Sequence, residues 1–173
     1  LKAKEIANHH ELFPMILNLL EMERFLVIAL FGHEELIQQL DLIMQEKKDT
    51  EEKLSNLNEY LRIRDNLYII HNKIGIVRTT SERKQVDDIM KNTLLKSEKN
   101  AKSIKAKYFF HYAWSTYGFM IQDVKTDYEH TKSAIKILEN DESIIASKKL
   151  YPLPGGFIYE SEIITEPGQV RCK

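Results

Sequence analysis

His33-Glu34-Glu35 opens like a zinc-protease helix, where two histidines four residues apart share a face with a glutamate. Ile37 stands where the second histidine is needed, so that chemistry is excluded. Asp127-x-x-His130 would suit half of a di-iron bundle centre. Such a centre needs two Glu-x-x-His motifs and two further glutamates, and no second motif exists. His130 therefore reads as a surface histidine. His9 and His10 are adjacent, so on a helix they point about 100° apart and cannot share a ligand. His71 and His111 lie among apolar neighbours and read as packed core residues. Cys172 is too close to the chain end to be held as a nucleophile, and no G-x-S-x-G elbow is present. Pro154-Gly155-Gly156 lacks the lysine and helix of a phosphate loop and reads as a turn. These residues argue against an enzyme, and they imply no metal or other cofactor.

Composition narrows the remaining classes. The 173 residues are 43% hydrophobic, enough for one domain with a real core. Charged side chains nearly cancel at net −1, which argues against direct nucleic-acid binding and against a membrane surface. Lys91, Lys96, Lys99, Lys102, Lys105 and Lys107 are one-sided, with only Glu98 against them. They read as a solvated connection, with a site for an acidic partner as the alternative. The single cysteine excludes a disulfide framework and suits a reducing, cytoplasmic compartment. No secretory signal is visible, and the charge-free run from Phe25 to Gly32 is too short to span a bilayer. The first residue is Leu1, not Met, so a fragment or a processed product is expected.

Glycine and proline divide the chain. Before residue 151 there are Pro14, Gly32, Gly75 and Gly118; after it the two residue types are dense. The first part reads as helices. The tail, 151–173, reads as irregular and extended, with strand-like runs at 157–159 and 163–165. The three helical-part glycines are 43 residues apart, and Phe31, Ile74 and Tyr117 precede them. Val27, Ile70 and Ala113 stand five residues before them. This spacing predicts three units, about 11–54, 55–98 and 99–150, each a pair of helices. In the third unit a first helix over about 101–121 precedes Thr126-Asp127-Tyr128-Glu129, which has the form of a capping box. The second helix then carries a stripe of Tyr128, Thr131, Ala134, Ile135 and Leu138. In the second unit a helix starts near Asn58 and ends near Thr79, and Thr80 or Ser81 caps the next. Trp114 lies one turn before Gly118, the pattern of a large knob beside a close helix contact. A non-repetitive helical bundle accounts for the same helices.

Trp114, Tyr117-Gly118 and Ile121 resemble the W-x2-L-G-x2-Y opening of the tetratricopeptide repeat, and Asp127-Tyr128-Glu129 with Ala134-Ile135 resembles its second helix. The match covers about 30 residues well. The second unit keeps Ile74-Gly75, and the first keeps Phe31-Gly32. The resemblance implies an all-α fold: antiparallel helix pairs stacked as a short right-handed α-solenoid, followed by the tail. It further implies a concave groove lined by the first helix of each unit. Outward positions there include Leu26, Ala29 and His33, then Ile69, Asn72 and Thr79, then Tyr112, Ser115, Phe119 and Gln122.

The expected function is a scaffold that binds a protein or peptide without catalysis. The alternative is a sensor or assembly segment of a larger transcription regulator or signalling kinase. A helical enzyme is the remaining class.

Overall fold

The computed structural model describes residues 2–140, and every regular element among them is helical. The strand-like runs, the 151–173 tail, Cys172 and the end of the third unit lie outside the described residues. Among the described residues six helices follow in order: α1 (Lys2–His9), α2 (Phe13–Leu30), α3 (His33–Ile74), α4 (Thr80–Met90), α5 (Ile104–Ile121) and α6 (Val124–Asn140). Two 3-10 turns, Thr93–Lys96 and Glu98–Asn100, bridge α4 to α5. No described helix is long and apolar enough to cross a membrane.

The largest departure from expectation is α3, 42 residues without a break. The expected boundary between units at 54/55 falls inside it, as does the helix start near Asn58. No glycine or proline interrupts 33–74, and the segment is rich in strong helix formers such as Glu, Leu, Lys and Gln. The polar Asn56 looks like a capping residue but works elsewhere. Its side chain accepts the Lys102 amide at 2.9 Å and donates to the Asn100 carbonyl at 3.1 Å. Buried Ile43, Thr50 and Leu57 recur every seven residues along α3, and Tyr60, Ile63 and Leu67 continue the inner face.

The three evenly spaced glycines do three different jobs. Gly32 is extended and precedes α3, in open space. Gly75 ends α3 with φ +62°, a conformation side chains rarely adopt, and a methyl group there would again meet nothing within 4 Å. No helix approaches closely at Gly75, and its glycine is required by the backbone. Only Gly118 marks a close approach: a methyl group there would meet the backbone nitrogen of Asp127 at 2.6 Å.

Caps set the remaining boundaries. Thr79 begins α4 through a complete capping box with Glu82, one or two residues earlier than the sequence suggested. Asp123, not Thr126, starts α6: its carboxylate accepts the Thr126 amide at 3.2 Å and hydroxyl at 2.7 Å. Ser103 caps α5 by accepting the Ala106 amide. Glu11 adds to this from far away in the sequence, its two carboxylate oxygens accepting the amides of Ile104 and Lys105 at 2.7 and 2.9 Å.

Two regions result. In the arm, α3 folds back along α2, since Lys4 bridges Glu23 and Glu46 at 2.7 and 2.9 Å. In the body, the second half of α3 and α5 run side by side in the same direction. Glu52 pairs with Lys102, the Arg64 guanidinium lies over Phe109, and the His71 ring meets Phe119. α4 returns along α3, bringing the Leu94 carbonyl to the buried Tyr60 hydroxyl at 2.9 Å. α6 returns along α5. Tyr60, Leu67, Val86, Leu95, Tyr108, Phe109 and Met120 fill the space between.

Candidate interaction surface

α2 is apolar on two opposite faces. Its inner face, Phe13, Ile16, Leu20 and Val27, is buried. Its outer face carries Met15, Met22, Phe25 and Leu26, exposed by 51, 62, 61 and 60%. Leu30 and Phe31 at the tip of the arm are exposed as well, and so are Ile37, Leu42 and Met44 on α3. Scattered exposed apolar residues are ordinary, but four large ones on one face of one helix make the outer side of α2 the candidate surface. Along the middle of the arm Ala3, Lys4, Leu19, Met22, Glu23 and Leu26 line an open groove between α1 and α2. Charge is restrained there. Arg24 is held by Glu21 at 2.7 Å and lies over the Phe25 ring, and Lys4 is taken by its two glutamates.

The expected groove residues do not form one surface. Tyr112 and Ser115 are 7% and 0% exposed, so neither lines an open groove. α5 is covered on nearly every side, and Ser115 donates to Asp127 of α6 at 2.6 Å and meets the Thr131 hydroxyl at 2.7 Å. Burial holds the Tyr112 phenol above its usual range. Thr79 is exposed, but its hydroxyl accepts the Glu82 amide. Gln122 is exposed in a left-handed conformation that closes α5. Asn72 and Ile69 are exposed, and Phe119 is half-buried against His71. Asn72, Thr79, Phe119 and Gln122 sit near one end of the body, where the Val77 amide bonds the Met120 carbonyl. Leu26 and Ala29 lie on the arm, and Leu26 is part of its apolar face.

One polar cluster was not foreseen. His130 is not a surface residue: its Nδ1 lies 2.9 Å from Nδ1 of His111, and its ring stacks on Trp114 at 5.7 Å. Glu98 approaches the far side of His111, 3.5 Å from Nε2. Burial lowers both histidines' pKa values, and the neighbouring His111 lowers that of His130 further. Trp114 donates its indole N–H to the Leu95 carbonyl at 3.1 Å. The cluster ties α5, α6 and the 3-10 connection together. Among the described residues no group of three His, Cys, Asp or Glu side chains is arranged to hold a metal ion.

The lysines of 91–107 are divided among roles. Lys91 and Lys102 pair with Asp88 and Glu52, whereas Lys105 is buried and donates to the His10 carbonyl at 2.7 Å. No protein-family model, curated protein or solved structure matches this chain.

Proposed function

We propose that this chain is a non-catalytic protein-binding module and that its docking surface is the apolar outer face of the arm. The observation that carries this reading is the exposure of Met22, Phe25, Leu26 and Leu30 together, on a helix whose opposite face is fully packed. Exposed apolar patches on a folded protein mark sites where another surface covers them. The body reads as a short, diverged solenoid similar to tetratricopeptide repeats, in which α3 and α5 act as first helices and α4 and α6 as returns. The common direction of α3 and α5 supports that reading, and Trp114 and Gly118 sit at the turn of the second pair. In this view the body is a mount and the arm is the contact surface.

The test is affinity capture from an extract of the source cells, with parent chain and Phe25→Ser/Leu30→Ser as baits. The parent should capture at least one specific protein, a second copy included, and the variant should lose it while keeping its helical circular dichroism. An unchanged set of captured proteins removes the arm as the docking surface and turns attention to the end of the body around Asn72 and Gln122.

A further inference from the structure

We propose that the outer face of α2 is closed by the same face of a second copy of this chain, the two helices running antiparallel about a two-fold axis. The assignment rests on the reading of the arm as a docking surface and names its occupant. Met15, Leu19, Met22, Leu26 and Ala29 follow one another at intervals of four, three, four and three residues. That is the 3.5-residue period of a helix that packs along another helix over its whole length. The inner face of α2 is filled by α3 and α1 flanks the partly buried Leu19, but Met15, Met22, Leu26 and Ala29 stay exposed, so the outer side of this seam is open. Leu12, at the N-cap, continues it by one step.

The seam matches itself. In an antiparallel pair each residue of one heptad position meets a residue of the other. The register that sets Leu19 against Met22 of the second copy also sets Leu26 against Met15, and Leu12 against Ala29. Symmetry repeats each pair, so every seam position has a counterpart, as a two-fold interface requires. Leucine meets the adaptable methionine in the middle, and leucine meets alanine at the ends. Glu23 flanks the seam and is already paired with Lys4 of its own chain. Antiparallel rather than parallel packing follows from where the body lies. Glu11, just before α2, is bonded to the first turn of α5, which puts the bulk of the protein at that end of the seam. Reversing the second helix carries its body to the opposite end, about 27 Å away over 18 residues.

Light scattering on the full chain tests this directly. At roughly 100 µM the parent should weigh twice its 20.3 kDa and approach the single mass on dilution. Met22→Glu/Leu26→Glu should keep the single mass throughout with its helical signal intact. Orientation is read by cross-linking in a Cys172→Ser background. Met15→Cys/Leu26→Cys should give a disulfide-linked dimer on mild oxidation, and Leu26→Cys alone should not. If the glutamate variant fails to fold, the cysteine pair still decides. A parent of single mass at high concentration overturns the proposal, as does efficient cross-linking by Leu26→Cys alone. A single-mass parent that still captures another protein through Phe25 and Leu30 would overturn the second copy and leave the docking surface standing.

Discussion

Gly118 and Asp127 lie so close that the space for one methyl group is missing between them: a Cβ at Gly118 would sit 2.6 Å from the Asp127 nitrogen and 3.1 Å from the Asp127 Cα. The obstacle is backbone, so it cannot swing aside. Gly118→Ala should cost about 1–3 kcal/mol despite the better helix propensity of alanine, and leucine should cost more. Urea unfolding followed by circular dichroism measures this. A stabilising Gly118→Ala would show that α6 can retreat freely.

Gly75 and Gly32 should behave differently from Gly118 and from each other. Alanine at Gly75 meets no neighbour but must adopt φ +62°, which should cost about 1–3 kcal/mol. Alanine at Gly32, where φ is −72° and the space is open, should be neutral or stabilising by up to about 1 kcal/mol. The same unfolding series ranks all three, and equal effects at 32 and 75 would contradict the structure.

Trp114→Ala should cost about 3 kcal/mol, the lower end for tryptophan because the ring is half-buried. Trp114→Phe keeps an aromatic face for His130 but removes the N–H that the Leu95 carbonyl accepts, so about 1 kcal/mol should be lost. A Trp114→Ala protein melting with the parent would refute the packing assignment.

The histidine pair predicts acid sensitivity. Both folded-state pKa values are depressed, chiefly by burial, with Glu98 opposing the shift. The unfolded chain therefore binds protons first. Stability should be full above the ordinary histidine value near 6.5 and fall as pH drops below it, until the folded-state groups also titrate. Urea midpoints at pH 8 and 5.5 should differ more for the parent than for His111→Gln/His130→Gln. Equal pH slopes would show that the pair does not contribute.

Glu11→Ala should loosen the arm. It removes both acceptors of the Ile104 and Lys105 amides at the start of α5, with an expected cost of about 1–2 kcal/mol. Amide hydrogen exchange should quicken at those two residues while the centre of α5 stays protected. Unchanged exchange there would mean that Ser103 alone caps the helix.

What the sequence conveyed was governed by how local each cause is. The helical class, the placing of α5 and the close approach at Gly118 were legible, because periodicity and a single small residue carry them within one or two turns. The break expected near residue 54 was not real. The even glycine spacing suggested it, but spacing says nothing about φ, and the three glycines differ in φ and in surroundings. Asn56 and Glu11 were opaque because their partners lie 46 and 93 positions away. Tyr112 and Ser115 were assigned outward by analogy with a repeat. On a helix apolar nearly all round, no face is visibly outward until α6 is placed. The outer seam of α2 was hidden for the same reason: a helix with two apolar faces reads in sequence as one strongly apolar run.

The unbroken α3 also fixes a phase. Its 42 residues make a rod of about 63 Å that carries the arm at one end and the body at the other. One residue inserted between Thr50 and Leu57 would turn everything upstream by about 100° and slide it by about 1.5 Å. Glu11 and the His10 carbonyl would then be swept off the start of α5. Changes of length are therefore tolerable at the Phe31–Gly32 bend, where the chain reverses in open space, and not along the rod. The arm is geared to the body residue by residue.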